Sequence, residues 1–204
     1  IFVAAAGDDI SLPSRVSSTV QLFEKYPTAS FVSFNDIVID EHGAKVSKSP
    51  RVKSKEDKEY QFTDFIAGST LPFSGASRAL NMSVYKNYEP LSSDCPTEDT
   101  PMIIRGLLIG SAVVSPEVQI KYRQHNNNLS GRNHYYDMDI VSITKQYLSD
   151  INVAFKKGVI SKERYTLAKT WAVSNRHKRV LINRFFHASF LEKIKIYLFE
   201  ILFS

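Results

Sequence analysis

Three polar clusters carry the side chains most able to do chemistry. Asp8 and Asp9 follow a short apolar run, Ile1 to Ala5, and lead into a segment containing Pro13. Adjacent carboxylates repel, so holding both ionised at one spot calls for a cation or well-placed donors. Such a pair can hold Mg²⁺ or Mn²⁺ with few other protein ligands, because these ions keep waters and take remaining oxygens from a diphosphate. The alternative is a plain turn-and-cap role.

Thr97, Glu98 and Asp99 form a second acidic knot. Carboxylates at the start of a helix meet the positive end of its dipole, which is sufficient reason for them. An ionised acid projecting into a cleft could instead take a proton from a hydroxyl nucleophile. The third cluster is Tyr122, Arg123 and His125, followed by three Asn residues. A cation and an imidazole in a hydrophilic stretch suit a metal shell or a phosphate contact.

These clusters need elements to position them. Residues 1 to 5 read as a buried strand, with the acidic pair where strand gives way to loop, at the carboxyl edge where open α/β sheets bind ligands. SLPSRVSSTVQLFEKYP reads as a helix capped by Ser11, with Pro13 in its first turn, Val16, Val20 and Phe23 on one face, and Pro27 beyond its end. ASFVSFNDIVID predicts a strand turning at His42 and Gly43, and residues 45 to 59, polar and aperiodic, predict an exposed loop able to gate a site. YQFTDFIAG predicts a short helix closed by Gly68, and Gly75, Ala76 and Ser77 a turn before another short helix. A helix starting near Thr97 turns Met102, Ile103 and Leu107 inward and ends near Gly106 or Gly110. VQIKYRQHNNNLSGRN predicts a strand entering a polar loop. From about Tyr135 the texture becomes helical, with segments near 135–156, 161–175 and 177–203 broken at Lys157-Gly158 and Asn175-Arg176. There is no internal repeat or low-complexity tract.

The chain has 204 residues, 43% of them apolar, which is ample for a core. One cysteine, Cys95, excludes an internal disulfide and suits a reducing, cytosolic setting. No apolar run is long enough to span a bilayer, and no signal peptide precedes the first strand. The net charge of +5 is concentrated at one end: residues 133–204 hold 12 basic and 6 acidic side chains, against 14 and 15 in residues 1–132. That basicity reads as solvated helix faces or as attraction to an anionic surface such as lipid headgroups. No nucleic-acid partner is expected, since the basic residues lack the pattern of interleaved stacking aromatics and the recognisable modules that such binding usually shows.

Taken together and in order, GDD followed by ISLPSR, then FSGASRALN, TED and YRQHNNNLS, the sequence resembles family 2 glycosyltransferases of the GT-A fold over residues 1–132. The resemblance implies an α/β chain: a partial GT-A, Rossmann-like mixed sheet with flanking helices in residues 1–132, and a C-terminal helical extension in 133–204. It implies inverting, metal-dependent transfer from a nucleotide-sugar donor to a glycan or lipid-linked acceptor, as in bacterial polysaccharide biosynthesis. Asp99 would be the catalytic base, with Glu98 a secondary polar contact. Asp9 and Asp8 would hold Mn²⁺ or Mg²⁺, and His125 would be a third ligand or, with Arg123, a phosphate contact. Gly75, Ala76 and Ser77 would line the acceptor side with little bulk. The resemblance also implies that the family's opening nucleotide-binding half lies outside this chain, which alone would transfer sugar poorly or not at all.

The basic, aromatic-rich stretch from Asn175 carries Arg176, Lys178, Arg179, Arg184, Lys193 and Lys195 among Val180, Leu181, Phe185, Leu191, Ile194, Leu198 and Phe199. It could lie in a bilayer interface, which would place the protein at the inner face of the membrane, or pack against the catalytic portion or a second subunit in a homodimer. A different class stays open: a non-catalytic interaction or oligomerisation module whose acidic turns are helix caps. A phospho-acceptor regulatory domain also uses an acidic pair after a strand, but no later strand-ending Asp and Lys stand at suitable positions.

Overall fold

Two long parallel strands set the architecture. The computed structural model of the chain describes residues 1–46, 52–67, 72–73, 75–125 and 138–193. Its elements, in order, are β1 (Phe2–Val3), β2 (Ile10–Ser11), α1 (Arg15–Lys25), β3 (Ala29–Ile39), β4 (Lys58–Tyr60), α2 (Phe62–Ile66), β5 (Ala79–Leu80), α3 (Ser83–Lys86), α4 (Asp99–Ile109), β6 (Ser111–Arg123), α5 (Ile140–Lys156) and α6 (Lys162–His187). β3 and β6 run parallel at the centre. β5 and then β1 continue the sheet beyond β3, and β2 and β4 share the far edge of β6, all of these outer pairings antiparallel. The protein is thus mixed α/β, a strongly curled six-stranded half-barrel with helices, followed by C-terminal helices.

Part of the curl traces to Pro116. Without an N–H it cannot serve a central ladder, and the β3–β6 register slips there, from Phe34 opposite Ser115 to Asn35 opposite Val118. The Asn35 amide repairs the gap. Its Nδ2 donates to Pro116 O and Val52 O, each at 3.0 Å, and its Oδ1 accepts the Val52 N–H at 2.8 Å.

Burial explains both the successes and the failures of the sequence reading. β3 is buried on both faces, its polar residues Ser30, Ser33, Asn35 and Asp36 included, as a central strand of the sheet is. In α1 the face formed by Val16 and Val20 points outward, at 61% and 37% exposure, and the buried face is Arg15, Thr19 and Leu22. Ser11 is a strand residue opposite Ile120, and Ser14 takes the cap position. The opening strand is shorter than expected, covering Phe2–Val3 alone. The expected 45–59 loop holds structure at both ends: Lys45 bridges to Ile39, Val52 is buried, and β4 occupies Lys58–Tyr60; residues 47–51 lie outside the described residues. Gly68 lies outside them too.

Among the described residues the helical part breaks at Lys157-Gly158, as expected, but its second break falls at Ala188-Ser189 instead of at Asn175-Arg176. At Lys157-Gly158, Gly158 (φ +69°) allows the Val159 N–H to reach Ala154 O and the Gly158 N–H to reach Phe155 O, a Schellman ending. At Asn175-Arg176 the helix runs on to His187, because neither residue costs a helix interior more than a few tenths of a kcal/mol relative to its neighbours. α5 and α6 join α4 in one apolar core that includes Ile104, Leu107, Ile143, Ile151 and Ala168. Trp171 ties α6 to Phe62 and Phe65 of α2 and to Tyr147 of α5. Arg105 of α4 makes a bidentate pair with Asp150 of α5 at 2.7 and 2.8 Å, both side chains nearly solvent-free. No described helix is long and apolar enough to cross a membrane.

Candidate functional site

The acidic turn sits between β1 and β2, beside the carboxyl ends of β3 and β6. β2 pairs with Ile120 and Lys121, so the turn lies next to Arg123. Asp9 Oδ1 accepts the Arg123 N–H at 2.8 Å. Its other oxygen is buried without a hydrogen-bond partner. Burial, and then the charges of Asp8 and Asp36, push the Asp9 carboxyl above its ordinary range against the pull of the Arg123 N–H and of Arg15. Asp36, buried in β3 opposite Ile120, escaped the sequence reading because one acid in a strand gives no sign of which distant acids it will face.

Arg123 works here as a clamp. Its Nε donates to Asp8 O at 2.9 Å and its Nη1 to Asp40 O and Glu41 O at 3.0 and 2.8 Å, joining the acidic turn to the β3 hairpin. His125 Nε2 lies 3.0 Å from Asp8 Oδ2. Among the described residues no three His, Cys, Asp or Glu side chains group to hold a metal ion. The orphaned buried oxygen of Asp9 is compatible with a divalent cation, and Mg²⁺ or Mn²⁺ would need only Asp9 and Asp8 if a diphosphate supplied further oxygens.

Arg15 couples this turn to the Gly75–Ser77 turn. It is 2% exposed, and its Nη2 donates to Ala4 O and, at 2.8 Å, to Ala76 O, while Nη1 donates to Ser11 Oγ at 2.7 Å. Burial pulls its guanidinium below the usual range, with Asp9 opposing. Ser77 pins the same turn to β3, its Oγ 2.9 Å from Ser33 Oγ, accepting the Phe34 N–H at 3.0 Å and donating to Phe34 O at 2.7 Å. Of the three turn residues, Ser77 is fully buried, so it anchors the turn.

Asp99 opens α4, and Glu98 precedes it. Arg78, 7% exposed, donates to Asp99 Oδ1 and, at 3.2 Å, to Glu98 Oε1. Burial raises the Asp99 carboxyl, Arg78 pulls it down, and Glu98 pushes it up. A Cβ added at Gly75 would stand 3.3 Å from Asp99 Oδ2, so the absence of a side chain there is what lets the turn approach the carboxylate. The fold therefore brings Gly75 to Asp99, and Ala76 through Arg15 to the strand leading into the acidic turn. Arg15 and Arg78 were missed as site residues; each lies inside a motif, ISLPSR and FSGASR, where a basic residue reads as ordinary surface charge.

Two cavities among the described residues lie away from these groups. One of about 260 Å³ runs between residues 89–94 and α5, and one of about 420 Å³ lies at the amino-terminal ends of β3 and β6. Neither is lined by a sequence-predicted site residue. No protein-family model matches the chain, and no curated protein matches it significantly in sequence.

Proposed function

We propose that this chain carries the metal-and-acceptor part of an inverting, metal-dependent glycosyltransferase of the GT-A type, acting on a nucleotide-sugar donor and a glycan or lipid-linked acceptor. The observation that carries the reading is the meeting of Asp99 with the small-residue turn at Gly75, itself tied by Arg15 to the strand that leads into Asp8 and Asp9. In that reading Asp99 takes the proton of an acceptor hydroxyl held over Gly75 and Ala76. The freed oxygen bonds the sugar's anomeric carbon on the face opposite the leaving group, and the nucleoside diphosphate departs with the electron pair of the broken C–O bond. Arg78 holds the Asp99 carboxylate in place and offsets part of the rise in its pKa that burial causes. A divalent cation at Asp9 and Asp8 would neutralise charge building on the diphosphate, favouring the transition state over the ground state.

The test is calorimetric titration of Mn²⁺ with a nucleoside diphosphate into the chain and into the full gene product. Heat that disappears in Asp9→Asn, with sugar transfer by the gene product that disappears in Asp99→Asn, is the expected result. Silence from both proteins would leave the interaction-module reading, in which Asp99 is only the first-turn acid of α4.

A further inference from the structure

At the opposite end of the central strands from the acidic turn, the 420 Å³ groove has no Asp or Glu among its lining residues and a single cation, Arg164 of α6. Arg164 is half-buried, and burial lowers its pKa. Among the described residues it has no carboxylate in ion-pair range. One nitrogen, Nη2, donates to Leu107 O at 2.6 Å and closes the end of α4, and Cζ stands 5.6 Å from the centre of the Phe62 ring. Those contacts account for the side chain's position but leave its charge uncompensated, and a partly desolvated cation without a counter-ion favours binding an anion.

Neutral donors stand around it. Ser111 is 1% exposed, and its Oγ is buried without a hydrogen-bond partner. Asn81 uses Oδ1 to accept the Ser83 N–H at 3.0 Å, which leaves its NH₂ to donate elsewhere. The hydroxyls of Thr28 and Ser30 are already given to Glu59 and to Gly106 O, at 3.2 and 2.6 Å. We propose that this groove binds a phosphate group, with Arg164 as its charge partner and Asn81 and Ser111 as hydrogen-bond donors. They arrive from α6, from the β5–α3 link and from β6, and three directions of approach suit a tetrahedral oxyanion better than a planar carboxylate. The volume exceeds that of one phosphate and leaves room for the organic part of a small phosphomonoester.

The test is thermal unfolding of the chain at matched ionic strength with inorganic phosphate, glycerol phosphate, acetate or chloride. Inorganic phosphate and glycerol phosphate should raise Tm saturably, with half-saturation on the order of millimolar, and acetate and chloride should not. Tighter binding of glycerol phosphate assigns the site to an ester, and tighter binding of inorganic phosphate assigns it to the free ion. Asn81→Asp, at an exposed position that should fold normally, should weaken the response about tenfold by repulsion, and Arg164→Lys should weaken it through loss of the guanidinium fork. Asp9→Asn should leave the response intact. A phosphate response no larger than that of chloride, one unchanged in Asn81→Asp, or one lost in Asp9→Asn overturns the proposal.

Discussion

Asp9 and Arg123 meet through the backbone rather than through their charges. Asp9 Oδ1 accepts the Arg123 N–H at 2.8 Å, and the Arg123 guanidinium turns away to the carbonyls of Asp8, Asp40 and Glu41. The Arg123 backbone thus holds the Asp9 carboxylate in place, and the second oxygen of that carboxylate is buried without a hydrogen-bond partner.

Ionising that carboxylate costs stability. Its folded pKa is raised, so the cost is absent below the unfolded value, near 3.9, and appears as pH rises through the folded one. Asp9→Asn keeps the acceptor for Arg123 and removes the charge that burial, Asp8 and Asp36 disfavour, so it should stabilise the cation-free protein at pH 7 by about 1 kcal/mol, a modest gain because Asp9 is only half-buried and solvent screens it. That is a rise of about 2–4 °C in Tm, vanishing below about pH 4. Unfolding curves of the two proteins at pH 7 and pH 3.5 check it; equal Tm at both would show that the ionised carboxylate carries no strain.

Arg15 should matter to stability as much as any core residue. Arg15→Met strands the carbonyls of Ala4 and Ala76 and should cost about 2–4 kcal/mol, with Arg15→Lys intermediate because an ammonium cannot span both at once. Urea denaturation measures this directly.

Two glycines should behave oppositely. A Cβ at Gly110 would fall 2.5 Å from Thr28 O, a backbone atom that cannot rotate away, so Gly110→Ala should cost about 2–3 kcal/mol. At Gly75 the added carbon meets the end of a half-exposed side chain, and Asp99 can turn aside. Gly75→Ala should leave Tm within about 1 °C and, on the transferase reading, lower kcat by moving the base. Parallel melting curves and transfer assays of the two variants separate these effects.

The Arg105–Asp150 pair predicts that the C-terminal helices unfold with the sheet. Asp150→Ala leaves a buried guanidinium uncompensated and should cost about 3–5 kcal/mol, whereas Arg105→Met combined with Asp150→Leu should recover much of it. A double-mutant cycle with a single coincident transition by tryptophan fluorescence, from Trp171, and by circular dichroism is the expected result.

On the reading that the basic C-terminal stretch meets an anionic lipid surface, the exposed Phe185, Phe190 and Leu191 beside Arg184 and Lys193 would supply its apolar contacts. Flotation with anionic vesicles should retain the chain, and replacing all three by Ser should release it. Unchanged flotation of that triple variant would remove the membrane role. Ile194, Leu198 and Phe199 of the same stretch lie outside the described residues, as does Lys195.

What the sequence determined by itself was local. β3, the turn at Gly43, the start of α4 by Asp99 and the break at Gly158 were all legible, because each depends on a few neighbouring residues and on backbone preferences that need no partner. The side of α1 that faces the core was not. A buried arginine is favourable only when distant acceptors, here at Ala4 and Ala76, come to meet it, and a helical pattern of valines cannot report whether they do. The same holds for Arg78 beside Asp99 and for Arg164 in its groove. Their neighbours come from segments far apart in the chain, and only packing of the curled sheet against its helices decides which charges are compensated and which are left open.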